Sequence, residues 1–254
     1  MQKYEEFTSL IWGIHPIEEA LAERKNFNKI LINKEIHSEA MDNIFKLCRQ
    51  LQIPVQKVPV QKLNSLTRKN HQGIIGLMSP VPFYKLEQII PMLYEAGKMP
   101  LILILDGVTD MRNFGAIIRS AAAFGVDAIV IPEIGGAPVT ADTIKTSAGA
   151  IFKVKICKER NFKKAFNYLQ ESGVQVIAAT EKSEKMISEI DFYQPTAIVM
   201  GAEDTGISNV LLQLVNEKVR IPIVNTIDSL NVSVAAAIIL YEAKRDSNKD
   251  FLKN

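Results

Sequence analysis

Three separated stretches decide the fold of this chain: LDGVTDMRNFGAIIRSAAAFG (105–125), VMGAEDTGIS (199–208) and IPIVNTIDSLNVSVAAAIILYEAKRD (221–246). Each runs from an apolar, strand-like stretch into a turn rich in Gly, Asn, Asp or Ser, and then into a helix or its approach. Polar residues therefore gather at the C-terminal ends of strands, where open α/β sheets bind ligands.

Around these stretches the C-terminal part of the chain alternates in type. Strands are expected at Leu101–Leu105, Ala128–Ile131, Lys153–Ile156, Val174–Ala179, Ala197–Met200 and Lys218–Ile221. Helices are expected at Asn113–Phe124, Ala141–Ser147, Asn161–Glu171, Asn209–Val215 and Val232–Lys244. Strands separated by crossover helices imply a parallel sheet. On the last helix, Leu230, Val234, Ile238 and Tyr241 share one face, which is expected to meet the core. Val232, Ala235, Ala236 and Ile239 lie beside it, so apolar residues cover more than one narrow stripe.

The first 80 or so residues also alternate, over shorter elements. Residues 15–21 (HPIEEAL) open a helix with Pro in its first turn. Strands are expected at 29–32, 55–58 and 73–78, and helices at 38–51 and 60–66, giving a small α/β sandwich. Ser79-Pro80-Val81-Pro82-Phe83-Tyr84 reads as an extended linker without a regular hydrogen-bond ladder. A short helix, Lys85 to Gly97, connects it to the rest. The expected division is thus 1–78, a linker and connecting helix at 79–98, and 99–254.

Bulk composition excludes more than it selects. The chain has 254 residues, is 47% apolar and carries a net charge of only +2, so a real core is possible and any phosphate-binding surface must be local. Its two cysteines, Cys48 and Cys157, lie in unrelated contexts, which excludes a disulfide framework or a cysteine-based zinc site. No metal is expected. The start has acids before a very short apolar run, unlike a signal peptide, and no apolar run reaches the ~18 residues of a membrane span. A cytoplasmic protein is expected.

The three stretches also carry candidate chemistry. Asn113 has cap chemistry at the head of a helix. Gly115 permits close backbone approach. Arg119, six residues on, is about 600° around the helix at about 100° per residue, so it is not directly above Asn113. Its long side chain can still swing toward the strand ends, and the alternative is a surface arginine paired with a carboxylate. Gly201 and Gly206 are spaced as in a P-loop, but Ile207-Ser208 follows where Lys and Ser/Thr are required, which rejects an ATPase. Glu203 at the tip of that turn is otherwise a solvated acid or a helix cap.

The three stretches, in this order and spacing, resemble the motifs of the SpoU (TrmH-type) RNA ribose 2′-O-methyltransferases of the SPOUT class. GIHPIEEAL (13–21) and NHQGIIGL (70–77) resemble the substrate-binding domain that precedes the catalytic domain in many of these enzymes. The resemblance covers nearly the whole chain. It implies a parallel-sheet α/β domain with a deep trefoil knot, S-adenosylmethionine as cofactor, an RNA substrate and a homodimer through the catalytic domains. It assigns Asn113, Arg119, Glu203, Ser229 and Asn231 to the reacting end, and Gly201, Ile221 and Leu230 to the adenosine. Many members have Pro soon after the loop acid, where this chain has Asp110-Met111-Arg112. RNA contacts are expected from Arg68, Lys69, His71 and Arg112. The combination looks like the branch that methylates a guanosine of 23S ribosomal RNA. A tRNA-methylating relative, or a non-catalytic RNA-binding ribosome-assembly protein of the same fold, is the alternative.

Overall fold

The computed structural model describes residues 10–224 and 229–247. These divide into two units, one running to Pro82 and taking in Val139–Ala141, the other made of Phe83–Pro138 and the chain from Asp142 onward.

The first unit comprises β1 (Leu10–Trp12), α1 (Ile14–Ala22), β2 (Phe27–Asn33), α2 (Glu39–Gln50), β3 (Val55–Val58), α3 (Val60–Leu66) and β4 (Ile74–Met78). Its sheet order is β1-β4-β2-β3, with β4 antiparallel to both neighbours and β2 parallel to β3. β1 was not expected, because three residues carry too little periodicity. It exists because β4 offers it a ladder, Ile11 opposite Gly76. Apolar residues point from the sheet to both faces. Ile30 and Ile32 meet Ile17, Leu21, Ile44 and Cys48 of α1 and α2, whereas Leu31 and Ile75 meet Leu63 of α3. Full burial of one such side chain as Leu63 is worth about 1.5–3 kcal/mol. Cys48 is wholly buried, and that burial pushes its thiol up to about 11, so it behaves as a small apolar side chain.

The second unit comprises β5 (Phe83–Tyr84), α4 (Leu86–Glu95), β6 (Leu101–Asp106), α5 (Met111–Ala123), β7 (Ala128–Pro132), α6 (Ala141–Thr146), β8 (Lys155–Glu159), α7 (Phe162–Glu171), β9 (Gln175–Ala179), β10 (Thr196–Gly201), α8 (Asn209–Leu212), β11 (Glu217–Val219) and α9 (Val232–Ser247). The sheet order is β11-β9-β10-β6-β7-β8-β5, and every pairing is parallel. Continuous apolar runs such as Ile102–Leu105 are the signature of strands covered on both faces, and these four residues are buried. From β6 the chain moves toward β7 and β8; from β10 it moves the other way, toward β11. The order reverses between these two central neighbours, and that leaves a crevice beyond their C-terminal ends.

Three expectations are corrected here. Phe83-Tyr84 is not unladdered linker: it pairs with Ile156-Cys157 as the edge strand of the large sheet. The helix expected to connect the units is built into the second, with Leu86, Ile89, Ile90 and Leu93 buried in its core. The fourth parallel strand starts at Lys155 rather than Lys153, because a single tight turn, Ala150–Phe152, follows the left-handed Gly149.

α9 also turns a different face inward. Val232, Ala236, Ile239, Leu240 and Ala243 are buried, whereas Val234, Ile238 and Tyr241 are exposed. The small residues of α9 lie against α5 and β10. Heptad-like spacing identified two adjacent apolar faces, and packing selected the one with the smaller side chains.

Candidate active site

The site is assembled at the ends of β6 and β10, where Gly201 pairs with Asp106. Asp106 closes the end of its strand by accepting a hydrogen bond at Oδ2 from the Ser208 backbone N–H, 2.8 Å away. The turn between is tight: the Gly206 N–H donates to the Ala202 carbonyl at 2.9 Å. A Cβ at Gly201 would stand 2.1 Å from the Gly206 carbonyl carbon and 2.2 Å from the Ile207 nitrogen. Glycine is thus demanded by the returning turn itself.

α5 begins two residues earlier than expected, at Met111. Its cap is Asp110, whose Oδ1 accepts from the backbone N–H groups of Arg112 and Asn113 at 2.9 and 2.8 Å. Asn113 is therefore inside the first turn and not the cap, which leaves its side-chain amide available. An acid immediately before a helical run is itself a start signal, so Asp110 was findable. Gly115 is where α5 presses closest on its surroundings: a Cβ there would lie 2.2 Å from Thr146 Oγ1 and 2.9 Å from the Thr146 carbonyl carbon.

Asn113, Glu203 and Asn231 come together, one from each of the three stretches. Asn113 Nδ2 donates to Glu203 Oε2 at 3.1 Å, and Asn231 Nδ2 donates to Glu203 Oε1 at 2.9 Å. Asn231 Nδ2 also donates to Asn113 Oδ1 at 3.1 Å. Asn231 serves α9 at the same time, since its Oδ1 accepts from the Ser233 N–H at 3.0 Å and from Ser233 Oγ at 2.6 Å, as an N-cap does. Glu203 and Asn231 are exposed and Asn113 is half-buried. The carboxylate has one amide on each oxygen and further acceptor capacity facing out.

Beside this network lies a pocket of about 320 Å³, within the range of small-molecule and cofactor sites. Gly201, Ile221, Ser229 and Leu230 line it, with Glu203 on its rim. Residues 225–228, within the third stretch, fall outside the described residues. A further wall, Thr180-Glu181-Lys182 at the end of β9, was missed in the sequence. Its signal was available: polar residues directly after an apolar strand run.

The remaining candidates are not joined to the network. Arg119 and Arg112 are exposed on α5, and Arg119 has no hydrogen bond or ion pair among the described residues. A surface pairing of Arg119 with a carboxylate is therefore not what is seen. Arg68 and Lys69 are exposed in the first unit. His71 corrects an expectation. It is buried, its Nε2–H donates to Asn64 Oδ1 at 2.8 Å, and its Nδ1 accepts from the Gly73 N–H at 3.0 Å. Both ring nitrogens are committed to holding the 64–73 turn, so neither is left free to bond RNA.

Residues 100–241 match the model of the SpoU rRNA Methylase family, and residues 10–84 match that of the RNA 2′-O ribose methyltransferase substrate-binding domain. A Staphylococcus saprophyticus protein, named provisionally as a TrmH family tRNA/rRNA methyltransferase, is 31% identical over 239 residues, covering 94% of this chain and 96% of its own. Among solved structures, the AdoMet-bound rRNA methyltransferase of Sinorhizobium meliloti superposes with a TM-score of 0.59 at 25% identity, over 93% of this chain and 86% of that one. The SpoU methyltransferase AviRb of Streptomyces viridochromogenes, in complex with AdoMet, has a TM-score of 0.59 at 23% identity, over 93% and 89% of the two chains. The chain belongs to the SpoU methylase family, the TrmH-type RNA methyltransferases.

S-adenosylmethionine is the cofactor of this class, and the pocket suits it. Ile221, Leu230 and Met200 give the pocket an apolar wall, and residues 201–207 of the turn line it beside them. The SPOUT fold and the trefoil knot that goes with it follow from the family. Among the described residues, no helix is long and apolar enough to cross a membrane.

Proposed function

We propose that this protein methylates the ribose 2′-oxygen of a guanosine in 23S ribosomal RNA. The observation that carries the reading is the Asn113–Glu203–Asn231 network, open to solvent on the rim of the pocket and drawn from three separate strand ends. A structural network has no need to sit there with acceptor capacity to spare. The two-domain composition, with GIHPIEEAL and NHQGIIGL in a substrate-binding domain over the first 78 residues, favours the ribosomal branch.

S-adenosylmethionine supplies a methyl group already activated by its sulfonium. Gly201, Ile221 and Leu230, which line the pocket, would hold its adenosine end, and Ser229, also on the lining, would stand at the reacting end. Asn113 and Asn231 fix the Glu203 carboxylate, and through it the turn that closes the pocket. Arg119 meets the substrate. Its guanidinium stays protonated in proteins, so it does not act as the base. It binds the phosphate next to the ribose and stabilises the alkoxide that develops as the 2′-hydroxyl gives up its proton to that phosphate or to water. Arg112, Arg68 and Lys69 contact the RNA backbone.

The reading includes a homodimer. Val234, Ile238 and Tyr241 form an exposed apolar face on α9, with Tyr241 edge-on to Phe124 of α5 at 6.2 Å. A twofold axis through that face buries it against its copy. Sedimentation at micromolar concentration checks it, and a fully active monomer removes it.

The deciding experiment maps 2′-O-methyl groups on ribosomal and transfer RNA from cells with and without the gene. Loss of one guanosine methylation in 23S RNA is expected. Loss of a tRNA site instead moves the target to tRNA, and no lost site in any RNA removes the methyltransferase reading.

A further inference from the structure

Residues 153–164 read K-V-K-I-C-K-E-R-N-F-K-K. With six cations and one carboxylate they are the most basic twelve residues of the chain, net +5 in a protein of net +2. The structure sorts these charges. Lys153 and Lys155 stand at the N-terminal end of β8, and Arg160, Lys163 and Lys164 follow its C-terminal end. Lys158 lies between, 3.6 Å over the ring of Phe83.

The single carboxylate does not neutralise the exposed cations. Glu159 is buried, its Oε1 accepts from the Leu86 backbone N–H at 3.0 Å, and its Oε2 faces Lys85 Nζ at 3.8 Å. Arg160, Lys163 and Lys164 are exposed, and none of their side chains has a hydrogen bond or ion pair among the described residues. The nearest acid on the neighbouring strand end is Glu133, half-buried, its backbone N–H bonded to the Glu159 carbonyl at 3.0 Å. Three long, solvated cations thus follow the end of β8 with no ion-pair partner among the described residues.

Their place in the fold says what the anion is. β6, β7 and β8 are parallel, so the C-terminal end of β8 shares its edge of the sheet with the ends of β6 and β10, where Asn113, Glu203 and Asn231 meet. Two strand spacings, about 10 Å, separate the ends of β6 and β8. A strand of RNA with one ribose in the site would carry its neighbouring phosphates along that edge.

We infer that Arg160, Lys163 and Lys164 form a phosphodiester-binding surface on the second unit that holds the substrate RNA beside the ribose to be methylated. It rests on the reading of the site as an RNA ribose methyltransferase. It adds to the RNA contacts expected from Arg68, Lys69 and Arg112 a second contact made by the catalytic unit. Such contacts supply affinity and register without reading sequence.

Three full-length proteins test it by equilibrium binding to an RNA fragment carrying the mapped site, across a salt series. These are the wild type, the triple variant Arg160→Gln/Lys163→Gln/Lys164→Gln, and the double variant Lys153→Gln/Lys155→Gln as a control for general charge. The triple variant is expected to weaken RNA binding at least tenfold at low salt. It should also flatten the slope of log K against log salt by about 2, at roughly 0.7 per single-strand phosphate contact. Calorimetric S-adenosylmethionine affinity, which reports the fold, should be unchanged, as should kcat at saturating RNA. The double variant should bind RNA as the wild type does. An unchanged slope in the triple variant, or an equal loss in the double variant, overturns the inference. Failure of the wild type to methylate any RNA removes the proposed function instead, while the salt series still decides whether this surface binds phosphodiesters.

Discussion

Two polar networks of similar size do opposite work in this molecule. In the first unit, His71 is buried and bonds Asn64 and Gly73, all within ten residues of chain. In the second, Asn113, Glu203 and Asn231 are bonded across separations of 90, 28 and 118 residues and remain open to solvent. A local, buried network spends all its hydrogen-bonding capacity on one turn. A long-range, exposed network contributes little net stability, because each of its bonds replaces one to water. It also requires three strand ends to be positioned together. Residue type does not separate the two cases, since histidine is the more familiar reactive group and here it is the structural one.

The largest expected effect concerns Arg119, exposed on α5. Arg119→Ala should fold normally and bind S-adenosylmethionine within twofold of wild type, yet lose about 10²–10³-fold in single-turnover methyl transfer. Arg119→Lys should recover only part, because the planar fork of donors is not reproduced. Near-normal turnover by the Ala variant would return Arg119 to an ordinary surface role.

The closed network should show the reverse pattern. His71→Ala leaves the Gly73 N–H without its acceptor and Asn64 without its donor, at a cost of about 1–3 kcal/mol. Trp12, the chain's single tryptophan, lies in β1 of the same unit, so its fluorescence during urea unfolding reports the loss. The salt dependence of RNA binding should not change. A shallower salt slope would make His71 an RNA contact after all.

The smallest effect tests whether the open network is tuned for chemistry. Glu203→Gln keeps the shape but sets an amide N–H₂ against a donor of Asn113 or Asn231. A fall of about tenfold in kcat/KM is expected, equivalent to about 1.4 kcal/mol. Unfolding free energy should move by less than about 0.5 kcal/mol, as for most surface changes. A large loss of stability with unchanged kcat/KM would make this network structural too.

Much of this molecule was legible in one dimension. Every strand of the large sheet except the two-residue β5 was expected from the sequence, and the turn residues after three of them pointed to where the site would be. Asn113, Glu203, Asn231 and the pocket residues Gly201, Ile221, Ser229 and Leu230 were all named through the family resemblance that their stretches carry. The errors share one cause. β1 and β5 are too short to carry a period, and each is a strand because a partner's free edge makes it one. The buried side of α9 could not be chosen from spacing, since two adjacent faces are apolar and only contact with α5 and β10 selects the smaller one.

By itself, then, the sequence determined the element types, the parallel character of the second unit and the identity of the polar groups at its strand ends. These depend on periodicity, capping chemistry and turn residues, all of which act within a few positions. The tertiary structure alone decided which groups meet. It turned His71 and Glu159 inward, freed Asn113 by giving its cap to Asp110, and left Arg160, Lys163 and Lys164 together on the edge that carries the site. Whether a polar side chain is spent on the fold or left for a ligand depends on which distant backbone N–H or carboxylate folding brings within about 3 Å, and no local pattern records that.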